Sequence, residues 1–106
     1  MPVIGTFSAV KDGYAGTIRT LTLNIKVQFI ANDRREADGA PDFRILAGTA
    51  EIGAAWRRPR RNSDETYLSV RLDDPALPQP IFGALIEDTG NATARLIWRR
   101  DRKDDG

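Results

Sequence analysis

Apolar and polar side chains alternate most regularly between Leu21 and Phe29, where every second residue is apolar and the residues between them are polar. This period of two predicts a β-strand with one buried face. The preceding segment, Tyr14 to Ile18, shows a similar pattern, but Ile18 is out of phase with Leu21. A bulge or a sharp bend is therefore expected just after Ile18.

Further short segments of this kind follow, separated by Gly, Pro, Asp and Asn residues that favour turns. The pattern places Trp56 on one face with Ile52 and Ala54, and Trp98 on one face with Leu96, so both tryptophans are expected in the core. The predicted strands are 3–10, 14–18, 21–29, 43–47, 50–58, 67–72, 81–86 and 93–99.

The predicted fold is therefore all-β: a small antiparallel barrel or sandwich of six to eight short strands, with the oligonucleotide-binding barrel as one candidate form. Residues 1–100 are expected to form one domain and residues 101–106 a charged, frayed tail. Gly5, Gly53 and Gly83 lie inside strands and indicate bulges or close backbone approach. A strand left open at a sheet edge would pair with a second copy, which predicts a homodimer.

The amino-acid composition limits the catalytic and metal-binding functions that this chain can support. The chain has 16 basic and 15 acidic residues, a formal net charge of +1, and neither histidine nor cysteine. These absences remove the usual general base and the ligands that zinc prefers, so we expect no enzyme activity, no metal site and no cofactor. The paired Asp73 and Asp74 precede Pro75 and are interpreted as turn residues. The lack of cysteine and of any long apolar segment predicts a cytoplasmic protein without a membrane partner.

Positive charge is concentrated in two short segments that each begin with Trp-Arg-Arg. The first contains Arg57, Arg58, Arg60 and Arg61, and the second contains Arg99, Arg100, Arg102 and Lys103. If the two strand ends are neighbours, these residues form one arginine-rich patch at one end of the domain. Arginine matches the geometry of phosphate and aromatic rings stack on bases, so the patch suggests contact with nucleic acid.

In this hypothesis phosphates are bound by Arg57, Arg58, Arg60, Arg61, Arg99 and Arg100, and Tyr67 or another exposed aromatic residue stacks on a base. Tyr67 shares its strand face with Ser69 and Arg71, which makes this face a candidate binding surface. The alternative is that the arginines are ordinary solvated residues at strand ends, neutralised by nearby acidic side chains. These are Asp64, Glu65, Asp101, Asp104 and Asp105.

Several strings along the chain resemble the bacterial family called domain of unknown function 736. They are Ile4-Gly5-Thr6-Phe7, 12–21, Pro41-Asp42-Phe43-Arg44, Ile52-Gly53-Ala54-Ala55-Trp56, 67–75 and Leu96-Ile97-Trp98. The resemblance covers nearly the whole chain. It implies an accessory protein of plasmids and integrative conjugative elements, and it carries over no catalytic residue.

Two functional hypotheses follow. The first is a non-enzymatic accessory protein of a mobile genetic element that contacts nucleic acid through the arginine-rich segments. The second is a protein-interaction module without nucleic-acid binding, such as an inhibitor of a host defence or a partner in a transfer complex. Binding to nucleic acid should weaken steeply with salt, whereas an apolar protein interface should not.

Overall fold

The computed structural model describes residues 3–33, 39–59, 66–88 and 92–99, which form eight β-strands and, within these ranges, no helix. The strands are β1 (Val3–Val10), β2 (Gly13–Arg19), β3 (Asn24–Ala31), β4 (Phe43–Ala47), β5 (Ala50–Pro59), β6 (Thr66–Leu72), β7 (Ile81–Glu87) and β8 (Thr93–Arg99). The predicted all-β class is confirmed. The predicted tail, residues 101–106, lies outside the described residues.

The strands form a closed antiparallel barrel with the simplest connectivity. Each strand pairs with the strands before and after it in the chain, and β1 pairs with β8 to close the sheet. The prediction of a barrel is therefore confirmed. Its likeness to the oligonucleotide-binding barrel is only loose, because that fold is a five-stranded Greek-key barrel.

Closure of the barrel also affects the predicted homodimer. Every described strand has a paired neighbour on both sides, so none has a wholly open edge; β3 pairs with β4 only from Gln28 to Ala31, which leaves residues 24–27 unpaired on that side. Among the described strands there is therefore no fully open edge strand of the kind from which the homodimer was predicted. A homodimer formed through side chains on the barrel wall stays a prediction.

Inward-facing side chains from all eight strands fill the barrel. Phe7 and Phe29 meet edge to face with ring centroids 5.2 Å apart, and Tyr14 packs against Phe29 in the same manner at 6.2 Å. The buried residues of this core are Ile4, Phe7, Tyr14, Ile18, Val27, Phe29, Ile45, Ile52, Ala55, Leu68, Val70, Leu72, Leu85, Ala94 and Leu96.

A bulge in β5 reverses the predicted orientation of Trp56. Ile45 on β4 is opposite Gly53, but the next residue, Leu46, is opposite Glu51, so Ile52 is an extra residue in β5. Beyond this bulge Ala55 is buried, and Trp56 points to the outer surface. The prediction that Trp56 shares a core face with Ile52 was wrong, because a bulge shifts the alternation by one residue.

The segment between β2 and β3 is a turn rather than part of a strand. β3 begins at Asn24, and Leu21 is 104% exposed. The Thr20 side chain accepts hydrogen bonds from the backbone N–H groups of Thr22 and Leu23, which fixes the turn. The expected sharp bend is confirmed, but the predicted strand start at Leu21 was wrong because local hydrogen bonds stop the alternation there.

Glycine is required where neighbouring strands approach most closely. A Cβ atom at Gly53 would lie 2.2 Å from the carbonyl oxygen of Arg71, and one at Gly83 would lie 2.6 Å from that of Ile97. Both distances are too short for a side chain, so these positions permit the strong coiling of a small barrel. The predicted close backbone approach is confirmed at both.

The two ends of the barrel differ. The upper end, which carries the β1–β2 turn, has Tyr14, Arg57 and Glu87 on its inner wall. At the lower end, which carries the β2–β3 turn, Leu77 from the β6–β7 loop and Trp98 pack against the core. The predicted core position of Trp98 is thereby confirmed, and the lower end is apolar where the upper end is polar.

Candidate nucleic-acid interface

Arg57 lies on the inner wall of the barrel at its upper end, opposite the buried Leu68. Its guanidinium carbon lies 5.8 Å from the centroid of the Phe43 ring, and its Nη1 donates to Thr66 Oγ1 at 3.3 Å. The Arg57 backbone N–H donates to Asp42 Oδ2 at 2.7 Å. These contacts hold Arg57 at the barrel mouth, so it does not share a surface with Arg58.

Arg58 points outward and lies directly opposite Tyr67 on β6. Arg58 is exposed and Tyr67 is half-buried. No hydrogen bond, ion pair or ring contact engages either side chain in the part of the chain that the structure describes. The pair therefore places a guanidinium group and an aromatic ring side by side, and both are available to bind a ligand.

A second arginine–aromatic group lies nearer the lower end. Arg71, Phe82 and Arg99 form one row across β6, β7 and β8, with Phe82 in the middle. Arg71 Nη2 lies 3.7 Å from Asp73 Oδ2, and both side chains are about half exposed. An exposed ion pair of this length contributes little and is readily exchanged for another anion.

The two Trp-Arg-Arg segments do not meet at one end of the barrel. β5 and β8 run in opposite directions because strand direction alternates around the sheet, and two strands lie between them. Arg58 is therefore at the upper end and Arg99 at the lower end, and these two residues do not form the single terminal patch that was expected if the strand ends were neighbours. Arg60, Arg61 and Arg100 lie outside the described residues.

The outward side chains of β5 to β8 nevertheless form one continuous surface, which we name the β5–β8 face. Its four arginines frame aromatic and apolar side chains, and the one outward acidic residue of these strands within the described ranges, Glu51 at the start of β5, is bound to Arg44. The face consists of Ala54, Trp56, Arg58, Tyr67, Ser69, Arg71, Phe82, Ala84, Ile86, Thr93, Arg95, Ile97 and Arg99.

Standard strand geometry gives the scale of this face. Arg58 and Arg71 are separated by about 13 Å along the strands, as are Arg95 and Arg99, while Arg71 and Arg99 are about 10 Å apart across the strands. Arg95 Nε also donates to Asp88 Oδ1 at 3.1 Å, just beyond the end of β7. The resulting surface is positive at its corners and apolar at its centre.

Trp56 has a structural role on this face. Its indole Nε1 donates to the carbonyl oxygen of Gly39 at 2.8 Å, which ties β5 to the loop between β3 and β4. A tryptophan that is committed in this way is a poor candidate for stacking on a ligand. The other two aromatic rings on the face, Tyr67 and Phe82, are the stacking candidates.

The outer wall of β1 to β4 is different in character. Its outward positions are mainly small or polar, as at Ser8, Thr17 and Gln28. Arg44 on β4 is bound to Glu51 through Nη2 at 2.9 Å, and this carboxylate raises the pKa of Arg44. The combination of aromatic rings and outward arginines is thus concentrated on one half of the barrel.

Tyr14 and Glu87 connect opposite parts of the polar mouth. The Tyr14 hydroxyl donates to Glu87 Oε2 at 2.7 Å. Burial of the phenol, assisted by the hydrogen bond to Glu87 and by its negative charge, raises the pKa of Tyr14 to about 12. Tyr14 therefore remains a protonated hydrogen-bond donor at neutral pH and joins β2 to β7.

The sequence pattern had indicated the outward face of Tyr67 and Arg71 as a candidate surface, but neither Phe82 nor Arg95 had been named as a candidate binding residue. Alternation from the buried Leu85 would have placed Phe82 outside, yet only strand pairing shows that it lies between two arginines. Among the described residues, no group of three or more acidic side chains is placed to hold a metal ion. The same part of the chain contains no helix long and apolar enough to cross a membrane.

Fold and surface together define a small closed β-barrel with an arginine-framed aromatic face on its outer wall. A family model described as "Protein of unknown function (DUF736)" matches residues 3–101, nearly the whole chain. The chain therefore belongs to this family, as its sequence strings indicated. No curated protein and no solved structure matches it.

Proposed function

We propose that this protein binds nucleic acid through the β5–β8 face, without catalysing a reaction on it. The observation that carries the proposal is the placement of four outward arginines around Tyr67 and Phe82, on strands whose one outward acidic residue within the described ranges, Glu51, is bound to Arg44. Guanidinium groups bind phosphate oxygens in a fork, and aromatic rings stack on bases of any sequence. The pattern supports binding without strong sequence preference.

Binding would be a local property of this face, since the whole chain has a net charge of only +1. The carboxylate of Asp73, which is about half exposed, and that of Asp88, which is partly buried, occupy Arg71 and Arg95 in the free protein. Exposed pairs of this kind are weak, so a phosphate can replace the carboxylate at little cost. Affinity should fall as salt rises, because binding releases counterions from the nucleic acid.

The wider role remains part of the proposal. The family resemblance supports an accessory protein of mobile genetic elements, and the lack of histidine and cysteine supports a non-enzymatic one in the cytoplasm. These expectations describe the role and location of the protein in the cell, which the fold does not test. They stay predictions beside the binding proposal.

Fluorescence anisotropy with labelled single-stranded and duplex oligonucleotides, at low and moderate salt, tests the proposal. Arg58→Gln should weaken binding and reduce its salt dependence, because one phosphate contact is lost. Arg19→Gln removes the same charge from an exposed position on β2 and should have little effect. Absence of binding near micromolar concentration at low salt, or equal loss in both variants, would contradict the proposal.

The second candidate function, a protein-interaction module, draws on the same face. The half-buried Ile86 and Ile97 give it an apolar character that suits a protein partner. Such an interface would tolerate salt and would not need Arg58. A salt-insensitive complex with a protein, formed by a chain that binds no oligonucleotide, would favour this alternative.

A further inference from the structure

We infer that the β5–β8 face is selective for single-stranded nucleic acid and holds it at two separate stacking points, one at Tyr67 and one at Phe82. The inference rests on the proposed function and specifies the class of ligand for the same surface. It depends on how the two aromatic rings are placed relative to the arginines and to each other.

The first stacking point combines Tyr67 with Arg58. The two residues are direct cross-strand partners, so their Cβ atoms lie about 5 Å apart. If a base stacks on the Tyr67 ring, the Arg58 guanidinium is therefore close enough to bind the phosphate of the same nucleotide. Binding a nucleotide in this way would break no contact of either side chain among the described residues.

The second stacking point combines Phe82 with the arginines on both sides of it. Phe82 is half-buried and directly opposite Arg71 on one side and Arg99 on the other. Because the side chain is already half-buried, less entropy is lost when a base stacks on its ring. Both flanking guanidinium groups can reach the backbone of the same strand.

The spacing of the two points sets the length of ligand. Tyr67 is four residues from Arg71, the partner of Phe82, so the two rings are about 14 Å apart on the face. A single nucleotide cannot occupy both positions. Full affinity therefore requires a short segment of strand, within the roughly 4 to 16 nucleotides that one small barrel accommodates in other proteins.

A duplex cannot use these stacking points, because its base faces are already stacked on each other. Reading a duplex requires a helix or β-ribbon narrow enough for a groove about 12 Å wide. The β5–β8 face is instead one broad wall of a closed eight-stranded barrel. A duplex would gain only the arginine contacts, so it should bind more weakly than a single strand.

The test compares oligothymidylate with a hairpin duplex of equal phosphate number, by anisotropy at low salt. The wild-type chain should prefer oligothymidylate. Tyr67→Phe keeps the ring and should retain binding, whereas Tyr67→Leu and Phe82→Leu keep apolar volume but lose the ring. Each leucine variant should bind oligothymidylate about fivefold or more weakly and bind the duplex unchanged. Ile30→Ala, on the outer wall of β3, is the matched control and should not change either affinity.

A length series completes the test. Affinity for oligothymidylate should rise steeply until the oligonucleotide spans both rings and then level off, and Phe82→Leu should remove most of that rise. Equal binding of duplex and single strand, or leucine variants that bind like wild type, would overturn the inference while leaving the proposed function intact. Loss of all binding to both ligands in the wild-type chain would overturn the proposed function itself.

Discussion

Two adjacent arginines, Arg57 and Arg58, have different roles because their side chains point to opposite sides of the barrel wall. Arg57 lies over the Phe43 ring at the polar mouth, whereas Arg58 faces solvent beside Tyr67. The arginine cluster seen in the sequence is thus divided between two surfaces. Arg57 should contribute less than Arg58 to binding on the β5–β8 face.

Tyr14 should titrate unusually late. Its folded pKa of about 12 lies above the ordinary value of 10.0, so between these pH values the unfolded chain releases the Tyr14 proton and the folded chain keeps it. The associated stabilisation is complete below pH 10.0 and is lost as pH rises through about 12. Tyrosinate absorbance in a Tyr67→Phe background, which leaves Tyr14 as the remaining tyrosine of two, measures this directly.

Glu87→Gln serves as the companion variant for this titration. Removing the negative charge should lower the pKa of Tyr14 toward 10.0, although burial of the phenol still raises it. A Tyr14 that titrates near 10.0 in the Glu87-containing chain would contradict the buried hydrogen bond.

Gly53→Ala should destabilise the barrel. The new Cβ would lie 2.2 Å from the Arg71 carbonyl oxygen, so the β5–β6 pair must shift, at a cost of about 1–3 kcal/mol in the free energy of unfolding. Urea unfolding measures the change. Gly48→Asn is the control: Gly48 has φ of +66° and open space around it, and asparagine tolerates that conformation. Equal unfolding midpoints for the two variants would show that the close approach is wrong.

At the scale of elements, strand boundaries and bulges decide which side chains reach the core. Leu21 continues the alternation of β3 in the sequence but lies in the turn before it, fully exposed. Alternation alone cannot detect the Thr20 hydrogen bonds that end the pattern. For the same reason it could not detect the bulge at Ile52 that turns Trp56 outward.

The corrected boundary predicts a clear contrast in stability. Leu21→Ser should change the free energy of unfolding by no more than about 0.5 kcal/mol, because no buried contact is lost. Ile45→Ala, at a fully buried position of β4, should cost about 2–5 kcal/mol. Denaturant unfolding distinguishes the two variants. A large decrease in the free energy of unfolding of Leu21→Ser would show that Leu21 is buried after all.

At the scale of the whole molecule, closure joins the first and last strands. β1 and β8 pair from Val3–Ile97 to Ser8–Thr93, and this seam is as extensive as the pairs between consecutive strands. Closure therefore makes the barrel one cooperative unit rather than an open meander.

Native-state hydrogen exchange should detect this closure. Hydrogen-bonded amides in the β1–β8 seam should be protected to the same degree as those between β6 and β7, since both belong to one sheet. The β2–β3 turn around Leu21 should exchange rapidly and provides an internal reference. Rapid exchange throughout the seam would indicate an open sheet.

The sequence by itself determined the all-β class, most strand positions, the turns and the outward orientation of Tyr67 and Arg71, because these follow from local alternation and turn chemistry. Tertiary structure alone decided which outward residues are neighbours. It separated Arg58 from Arg99 by strand direction, and it placed Phe82 between Arg71 and Arg99 by register. Pairing joins residues that are distant in the chain, and no local pattern contains that information.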